Sequence, residues 1–245
     1  MFLETMFLET HFPETLPSFM HLIELYKSIQ GESSFAGLPC IFIRLAGCNL
    51  RCSWCDSEYT FTGGRKMSLD EVMQEVRKLA PVKLVEITGG EPMLQEREVI
   101  PLMELLLAEG YEVLLETSGE RPLASVPPQV HKIVDVKCPG SGEGGGFRLE
   151  NLTFLTAGDE VKFVLANRAD YDFAREFMSR HKLTDKTPNV LFSPAFRKDA
   201  SPERDASNCL LDPRELAEWI LADGLNVRLG LQLHKFIWEP LTKGV

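Results

Sequence analysis

The stretch CIFIRLAGCNLRCSWCDS, residues 40–57, joins an apolar run to three closely spaced cysteines. Its first part, Cys40–Leu45, is apolar and carries β-branched side chains, which predicts a buried strand. Cys48, Cys52 and Cys55 follow within one short loop. Thiolates clustered directly after a buried strand indicate metal or redox chemistry rather than a disulfide framework.

Further segments on both sides of the cysteines alternate between strand and helix patterns. Ser68 and Glu71 form a capping box that predicts the start of a helix, and Lys83–Thr88 predicts a strand that runs into Gly89 and Gly90. Later strands are predicted at Tyr111–Glu116, Lys132–Val136, Glu160–Leu165, Val190–Phe192 and Val227–Leu233, and helices near residues 97–109, 169–181 and 213–223. This alternation predicts an α/β fold with a mainly parallel sheet and a ligand site at the carboxyl ends of its strands.

Composition excludes several classes of protein. The chain has 245 residues, 44% of them hydrophobic, and a formal net charge of −10, which is typical of a globular domain with a sizeable core. An acidic balance gives no basic surface for duplex nucleic acid. No apolar run approaches the roughly 20 residues that span a bilayer. We therefore expect neither a nucleic-acid partner nor a membrane partner.

The first residues differ from the remainder of the chain. Residues 1–5, MFLET, are repeated at once as residues 6–10, and no Lys or Arg occurs before Lys27. A secretory signal begins with basic residues, so this segment does not resemble one. We expect residues 1–19 to be a dispensable extension and residues 20–245 to form a single domain, with a packed N-terminal arm as the alternative.

The glycine-rich stretch PGSGEGGG, residues 139–146, is incompatible with regular structure. It lacks the Lys-Ser or Lys-Thr pair of a phosphate-binding loop. The sequence predicts a mobile surface loop here. His234, near the other end of the chain, is placed by alternation on the last predicted strand, where it is either a buried core histidine or an active-site residue.

Three thiolates limit which metal centre the cysteine loop can hold. Soft thiolate ligands favour zinc, copper(I) or iron–sulfur clusters, and a structural zinc site usually has four protein ligands. The sequence offers no second cysteine pair beside the three. Three ligands on a four-iron cluster leave one iron open to a small molecule. A catalytic iron–sulfur cluster is favoured, and a structural zinc loop or an electron-transfer module remains the alternative.

The spacing C-x3-C-x2-C, with Trp54 before the third cysteine, resembles the radical S-adenosylmethionine (SAM) superfamily. The segment Thr88-Gly-Gly-Glu91-Pro92 matches the GGE motif of that family. The resemblance implies a partial (β/α) barrel in which Cys48, Cys52 and Cys55 hold a [4Fe–4S] cluster that binds SAM. It places SAM contacts at Trp54, Cys55, Asp56, Gly89, Gly90, Glu91, Ser118, Asp135, Val136, Lys137, Ser193, Pro194, Ala195 and Phe196. Two of these segments depart from the family pattern, because many members carry Ser-Pro-Lys at residues 135–137 and Gln-Pro near residue 193.

Narrower motifs resemble the 7-carboxy-7-deazaguanine synthase family of the 7-deazapurine (queuosine) pathway. The segment from Tyr26 to Glu32 is similar to its F-x-T-x-Q-G-E motif, and ETSG at 116–119 and QLHK at 232–235 match two further family motifs. The resemblance implies that Ser57 ligates Mg²⁺. It implies substrate contacts at Ile29, Gln30, Gly31, Glu32, Arg44 and Thr88.

The activity implied by this resemblance is that of a carbon–nitrogen lyase. It contracts the ring of 6-carboxy-5,6,7,8-tetrahydropterin to 7-carboxy-7-deazaguanine with loss of ammonia, and SAM is regenerated. The resemblance also implies an external electron donor of the flavodoxin or ferredoxin type and a homodimer. An oxygen-sensitive cluster predicts a reducing, cytoplasmic location. A glycyl-radical activating enzyme shares the cysteine spacing and is the alternative among enzymes.

Overall fold

The computed structural model describes residues 19–245, which build a single nine-stranded sheet. Its strands are β1 (Phe19–Ile29), β2 (Pro39–Leu45), β3 (Arg65–Ser68), β4 (Leu84–Gly89), β5 (Glu112–Thr117), β6 (His131–Asp135), β7 (Glu160–Leu165), β8 (Asn189–Pro194) and β9 (Arg228–Leu229). They lie in the order β3-β1-β2-β4-β5-β6-β7-β8-β9, so the two edges do not pair and the barrel stays open. Strands β2 and β4 to β9 run parallel, whereas β1 and β3 add an antiparallel edge.

Five α-helices accompany these strands in the described part of the chain. They are α1 (Leu69–Lys78), α2 (Glu96–Ala108), α3 (Arg168–His181), α4 (Pro213–Asp223) and α5 (His234–Ile237). The predicted capping box is confirmed, since the Ser68 hydroxyl accepts from the Glu71 amide and the Glu71 carboxylate accepts from the Ser68 amide. Single 3-10 turns lie at Glu58–Thr60, Pro92–Gln95, Pro139–Ser141, Leu149–Thr153, Leu183–Asp185 and Ala206–Asn208.

The two faces of the sheet differ in chemistry. One face buries apolar side chains such as Ile41, Ile43 and Ile87 in a large cluster with helix residues. Because side chains alternate along a strand, the other face of β4 carries Leu84, then Glu86, then Thr88. Its apolar members lie near the amino ends of the strands, in a separate small cluster. The enclosed face therefore becomes polar toward the carboxyl ends, where the fold places a ligand site.

Three parts of the chain differ from the sequence prediction. The predicted strand Val227–Leu233 is wrong beyond Arg228–Leu229. The Gly230 amide still donates to Phe192, but the Leu233 amide donates to the Gly31 carbonyl, which draws the chain away from the sheet. His234 consequently begins α5 instead of lying on a strand.

The edge strands β1 and β3 were not predicted, because β1 mixes buried and half-exposed residues and β3 has only four residues. Phe19, which the sequence assigns to the extension, pairs with Ser68 as the first residue of β1. Residues 1–18, which hold the repeat, lie outside the described residues. The glycine-rich loop is irregular apart from one 3-10 turn and most of its residues are exposed, as expected for a surface loop, but it also forms hydrogen bonds with the cysteine loop.

Candidate active site

A cavity opens at the carboxyl ends of the parallel strands. Its wall combines the cysteine loop with the ends of β4, β5 and β6 and with residues from the last part of the chain. Predicted residues on this wall are Glu32, Arg44, Cys48, Cys52, Trp54, Cys55, Asp56, Ser57, Thr88, Gly89, Gly90, Ser118, Asp135, Lys137 and Phe196. The fold therefore brings residues from distant parts of the sequence to one site.

The three loop cysteines are free thiols, half-buried on the cavity wall. Among residues 19–245, no three His, Cys, Asp or Glu side chains converge on one point as a single metal ion requires. A four-iron cluster needs a different arrangement, because each thiolate binds a different iron around a common space. The loop thus fits a cluster in the cavity and differs from a closed zinc site.

Burial raises the pKa of the Cys52 thiol to about 11, and the Lys137 ammonium opposes this effect. Burial also disfavours the charge on Lys137, but its bond to Asp135 outweighs burial and raises the pKa of Lys137. The two side chains form an ion pair of 2.7 Å. A lysine that stays charged beside the cysteine loop stabilises thiolates there.

The turn after β4 lies directly against the main chain that leads into the cysteine loop. A Cβ atom on Gly89 would stand 2.3 Å from the Leu45 carbonyl oxygen, and one on Gly90 would stand 2.2 Å from that of Gly47. Gly89 also has φ near +144°, which favours glycine. The two glycines therefore allow the β4 turn and the cysteine loop to share one wall of the cavity.

Glu91 follows this turn, and its buried side chain forms hydrogen bonds with the residues at the end of β5. The carboxylate is 1% exposed. It accepts hydrogen bonds from the Thr117 hydroxyl at 2.8 Å, the Ser118 amide and hydroxyl at 2.8 and 2.7 Å, and the Met93 amide at 3.0 Å. These bonds fix the end of β5 relative to β4, which places Ser118 on the cavity wall.

Five predicted SAM contacts line neither this cavity nor its neighbour: Glu91, Val136, Ser193, Pro194 and Ala195. The Ala195 amide donates to Leu165 and its carbonyl accepts from Leu210, so its main chain is occupied by neighbouring segments. Phe196, the next residue, does reach the cavity, where the Lys235 ammonium lies 4.8 Å from its ring centre.

A second cavity adjoins the first. All six predicted substrate residues line it: Ile29, Gln30, Gly31, Glu32, Arg44 and Thr88. Residues common to both walls are Glu32, Arg44, Asp56, Ser57, Thr88 and Glu116. Two small molecules bound in these cavities would therefore lie side by side.

Arg44 stands between the cavities with part of its guanidinium already bound. Its Nε donates to Glu24 at 2.8 Å and its Nη2 to the Tyr26 hydroxyl at 3.0 Å. Tyr59 donates to the same Glu24 carboxylate at 2.8 Å. An arginine has five N–H donors, so the described residues leave donors of Arg44 available for an anionic ligand.

Charged side chains meet on the enclosed face behind the second cavity. The Lys162 ammonium lies 2.9 Å from Glu32 and also contacts Glu116. Although burial disfavours its charge, Lys162 and His234 lower the pKa of Glu32 to about 2. Burial, together with the neighbouring Glu116, raises the pKa of Glu86 well above its usual range. This cluster therefore contains both a persistent carboxylate and a carboxylic acid.

Ser57 follows the third cysteine and is hydrogen-bonded to a carboxylate that is itself held in an ion pair. Its hydroxyl donates to Asp56 at 2.8 Å, and the buried Lys235 ammonium lies 2.6 Å from the same carboxylate. Burial disfavours the charge on Asp56, but Lys235 outweighs it and holds the pKa of Asp56 well below its usual range. A hydroxyl oxygen fits a hard cation such as Mg²⁺.

Several wall residues are not among the predicted cofactor, metal or substrate contacts: Tyr26, Glu86, Glu116, Lys162, Gln232, His234, Lys235 and Val245. A signal existed for two of them, since Glu86 and Lys162 are charged residues inside the apolar strands β4 and β7. Glu116 and the segment 232–235 were recognised as family motifs but given no role.

Comparison with known proteins identifies first the class of enzyme. A model of the Radical SAM superfamily matches residues 42–138, which contain the three cysteines and the GGE motif. The crystal structure of QueE from Escherichia coli shares the fold, with a TM-score of 0.69 over 87% of this chain and 94% of that chain at 24% identity. The chain is a radical SAM protein, and its unclosed, mostly parallel sheet confirms the predicted partial (β/α) barrel.

Two relatives identify the family within that class. The chain is 69% identical over 226 residues to 7-carboxy-7-deazaguanine synthase of Koribacter versatilis strain Ellin345, covering 92% of this chain and 100% of the relative. It is 42% identical over 230 residues to the synthase of the same name from Chlorobaculum tepidum, covering 92% and 97%. The chain belongs to the 7-carboxy-7-deazaguanine synthase family.

Proposed function

We propose that this chain contracts the ring of 6-carboxy-5,6,7,8-tetrahydropterin to form 7-carboxy-7-deazaguanine with loss of ammonia. It acts as a radical SAM carbon–nitrogen lyase in queuosine biosynthesis and uses a [4Fe–4S] cluster, SAM and Mg²⁺. The observation that carries the proposal is the 69% identity to a relative of that name over the whole of the relative. The two joined cavities support it, because they suit a cofactor and a small substrate bound next to each other.

The first cavity suits the cluster and SAM. Cys48, Cys52 and Cys55 hold the cluster, and the Gly89-Gly90 turn provides main-chain groups for SAM at the same wall. When bound, these groups supply the radical chemistry of the reaction. The protein contributes position and exclusion of water, so that the reactive centre lies close to a single C–H bond.

The second cavity suits a pterin that carries a carboxylate. The free N–H donors of Arg44 bind that carboxylate, for which a guanidinium has matching geometry. Ser57 lies on the wall common to both cavities and would hold Mg²⁺ there, and the ion would supply positive charge beside the substrate carboxylate. Glu32 remains ionised and accepts hydrogen bonds from N–H groups of the pterin ring.

The proposal extends to partners and location. An external flavodoxin- or ferredoxin-like donor supplies the electron, and two chains form a homodimer, as the family resemblance implies. A cytoplasmic location follows from the chemistry, because an oxygen-sensitive cluster requires a reducing compartment. Within residues 19–245, no helix is long and apolar enough to cross a membrane.

The test is anaerobic reconstitution with iron and sulfide, followed by dithionite, SAM, Mg²⁺ and the carboxytetrahydropterin. We expect a deazaguanine product detectable by mass, and none from Cys52→Ala protein under the same conditions. Cys138→Ala serves as the matched control, because Cys138 is buried away from both cavities. Parent protein that binds a cluster and cleaves SAM but leaves the pterin unchanged would contradict the proposal and favour a glycyl-radical activating enzyme.

A further inference from the structure

The glycine-rich loop, residues 139–146, has no role in the proposed function, yet it contacts the cysteine loop. Arg51 precedes Cys52, and its main-chain N–H donates to Glu143 Oε1 at 2.6 Å. A carboxylate that accepts from a backbone amide forms a charge-assisted hydrogen bond, shorter and stronger than a neutral one. The glycine-rich loop therefore holds the main chain on one side of a cluster ligand.

The same loop holds the main chain on the other side of Cys52. Ser53 donates its N–H to the Ser141 carbonyl at 2.9 Å and its hydroxyl to the Gly140 carbonyl at 2.9 Å. Ser141 is fully buried, and its hydroxyl donates to the Cys138 carbonyl at 2.6 Å. These bonds connect the cysteine loop to the segment that leaves β6.

Helix α3 in turn fixes the glycine-rich loop. Asp170 has no solvent exposure, and its two oxygens accept from the Gly140 amide at 2.8 Å and the Ala166 amide at 3.0 Å. A Cβ atom on Gly140 would stand 2.5 Å from Asp170 Oδ2. Only glycine therefore allows the loop to approach this carboxylate so closely.

We propose that the glycine-rich loop is a brace that fixes Cys52 as a cluster ligand, with Glu143 and Asp170 as its positioning residues. The inference rests on the proposed function, because it concerns the cluster that this function requires. A ligand whose main chain is held on both sides resists movement away from its iron. The brace therefore slows loss of iron from the cluster and preserves the geometry in which the cluster meets SAM.

Two substitutions of Glu143 separate the hydrogen bond from the charge. Glu143→Ala removes the acceptor of the Arg51 amide, whereas Glu143→Gln keeps an oxygen that can accept the bond. Glu150→Ala is the control, because Glu150 is an exposed glutamate nearby whose side chain makes no hydrogen bond or ion pair among the described residues. Each reconstituted protein is measured for iron release to a chelator and for the EPR spectrum of the reduced cluster with and without SAM.

We expect Glu143→Ala to release iron about tenfold faster than the parent, the order expected for loss of one charge-assisted hydrogen bond. Its EPR response to SAM changes, whereas Glu150→Ala matches the parent and Glu143→Gln, which keeps a neutral acceptor, lies between Glu143→Ala and the parent. Asp170→Asn keeps one acceptor of two and gives an intermediate rate. All apoproteins are expected to unfold at the same temperature, within about 2 °C, except Asp170→Asn, which loses a buried bond.

The brace is overturned if Glu143→Ala matches the parent in both measurements. It is also overturned if Glu143→Gln changes as much as Glu143→Ala, because loss of charge would then explain the effect. A parent protein that assembles no cluster contradicts the proposed function and removes the brace with it. A stable parent cluster with an unaffected Glu143→Ala variant contradicts the brace alone.

Discussion

Charged side chains on the enclosed face of the sheet set the protonation states of the second cavity. Lys162 is 2% exposed, and burial disfavours its charge, yet Glu116 and Glu32 outweigh burial and raise its pKa well above the usual range. The lysine stays charged and in turn keeps Glu32 ionised. The donors and acceptors offered to a substrate are therefore fixed before it binds.

Glu86 gives the fold a pH dependence that can be measured. Its folded pKa is raised well above 4.5 by burial and by Glu116, so the folded state retains a proton that the unfolded chain releases. Stability therefore falls as pH rises from about 4.5 toward the raised pKa. Glu86→Gln is neutral at every pH and keeps an oxygen for the Gln30 amide, which donates to Glu86 at 3.0 Å.

We predict that Glu86→Gln is more stable than the parent near pH 8, because only the parent loses stability as the pH rises above the pKa of the unfolded glutamate. Near pH 4 the difference disappears. Urea unfolding followed by circular dichroism at several pH values measures both. If the free energies of unfolding of the two proteins change in parallel with pH, the raised pKa of folded Glu86 is contradicted.

Arg44 is predicted to bind the substrate carboxylate through the donors that Glu24 and Tyr26 leave free. Arg44→Lys keeps the charge but loses the planar pair of donors. We predict that KM for the pterin rises about tenfold or more, while KM for SAM stays within about twofold. Tyr26→Phe, which removes one bond to Arg44, is the control and changes the pterin KM by less than about fivefold. Equal pterin KM values in Arg44→Lys and the parent would refute this role.

Ser57 is predicted to ligate Mg²⁺ through its hydroxyl. Ser57→Ala removes that oxygen, so the rate should no longer respond to added Mg²⁺, whereas Ser57→Thr keeps the hydroxyl and the response. Titration of Mg²⁺ against initial rate in the three proteins provides the measurement. An unchanged Mg²⁺ response in Ser57→Ala would locate the ion elsewhere.

Among the elements, the parallel strands were predictable and the edges were not. Strands such as β2 and β8 are buried on both faces and therefore carry runs of consecutive apolar residues. The edge strand β1 includes half-exposed polar residues, which conceal its strand character. The strand prediction extends past the end of β9, because an alternating pattern does not reveal that the Leu233 amide leaves the sheet to donate to the Gly31 carbonyl.

A buried ion pair links Lys132 in β6 to Asp159, the residue directly before β7. Its removal tests the packing of this region. Lys132 and Asp159 are each about 2% exposed in their side chains, with 3.1 Å between Nζ and Oδ2. Asp159→Ala leaves the lysine unpaired and should lower the free energy of unfolding by about 3–5 kcal/mol. The double variant Lys132→Met, Asp159→Ala removes both charges and should be more stable than Asp159→Ala alone. Chemical denaturation measures the free energy of unfolding of the parent, Lys132→Met, Asp159→Ala and the double variant. A double variant less stable than both single variants would contradict the pairing.

For the whole molecule, the sequence predicts the local motifs of the site better than the contacts between segments that are far apart in the chain. Cys48 to Cys55 and the GGE motif are local, so their spacing is visible without a fold. Glu32, Lys162 and Gln232 meet in space although they are far apart in the chain. No spacing rule links such residues, because only the curvature of the sheet brings β7 and the last segment to the loop after β1.

The proposed ring contraction requires SAM to act beside the pterin in two joined cavities. The most direct measurement is the ratio of deazaguanine product to 5′-deoxyadenosine over many turnovers of the reconstituted protein with Mg²⁺ present. We predict product in clear excess, because SAM is regenerated in each cycle. Accumulation of 5′-deoxyadenosine without any deazaguanine would contradict the proposal that this chain contracts the ring of the carboxytetrahydropterin.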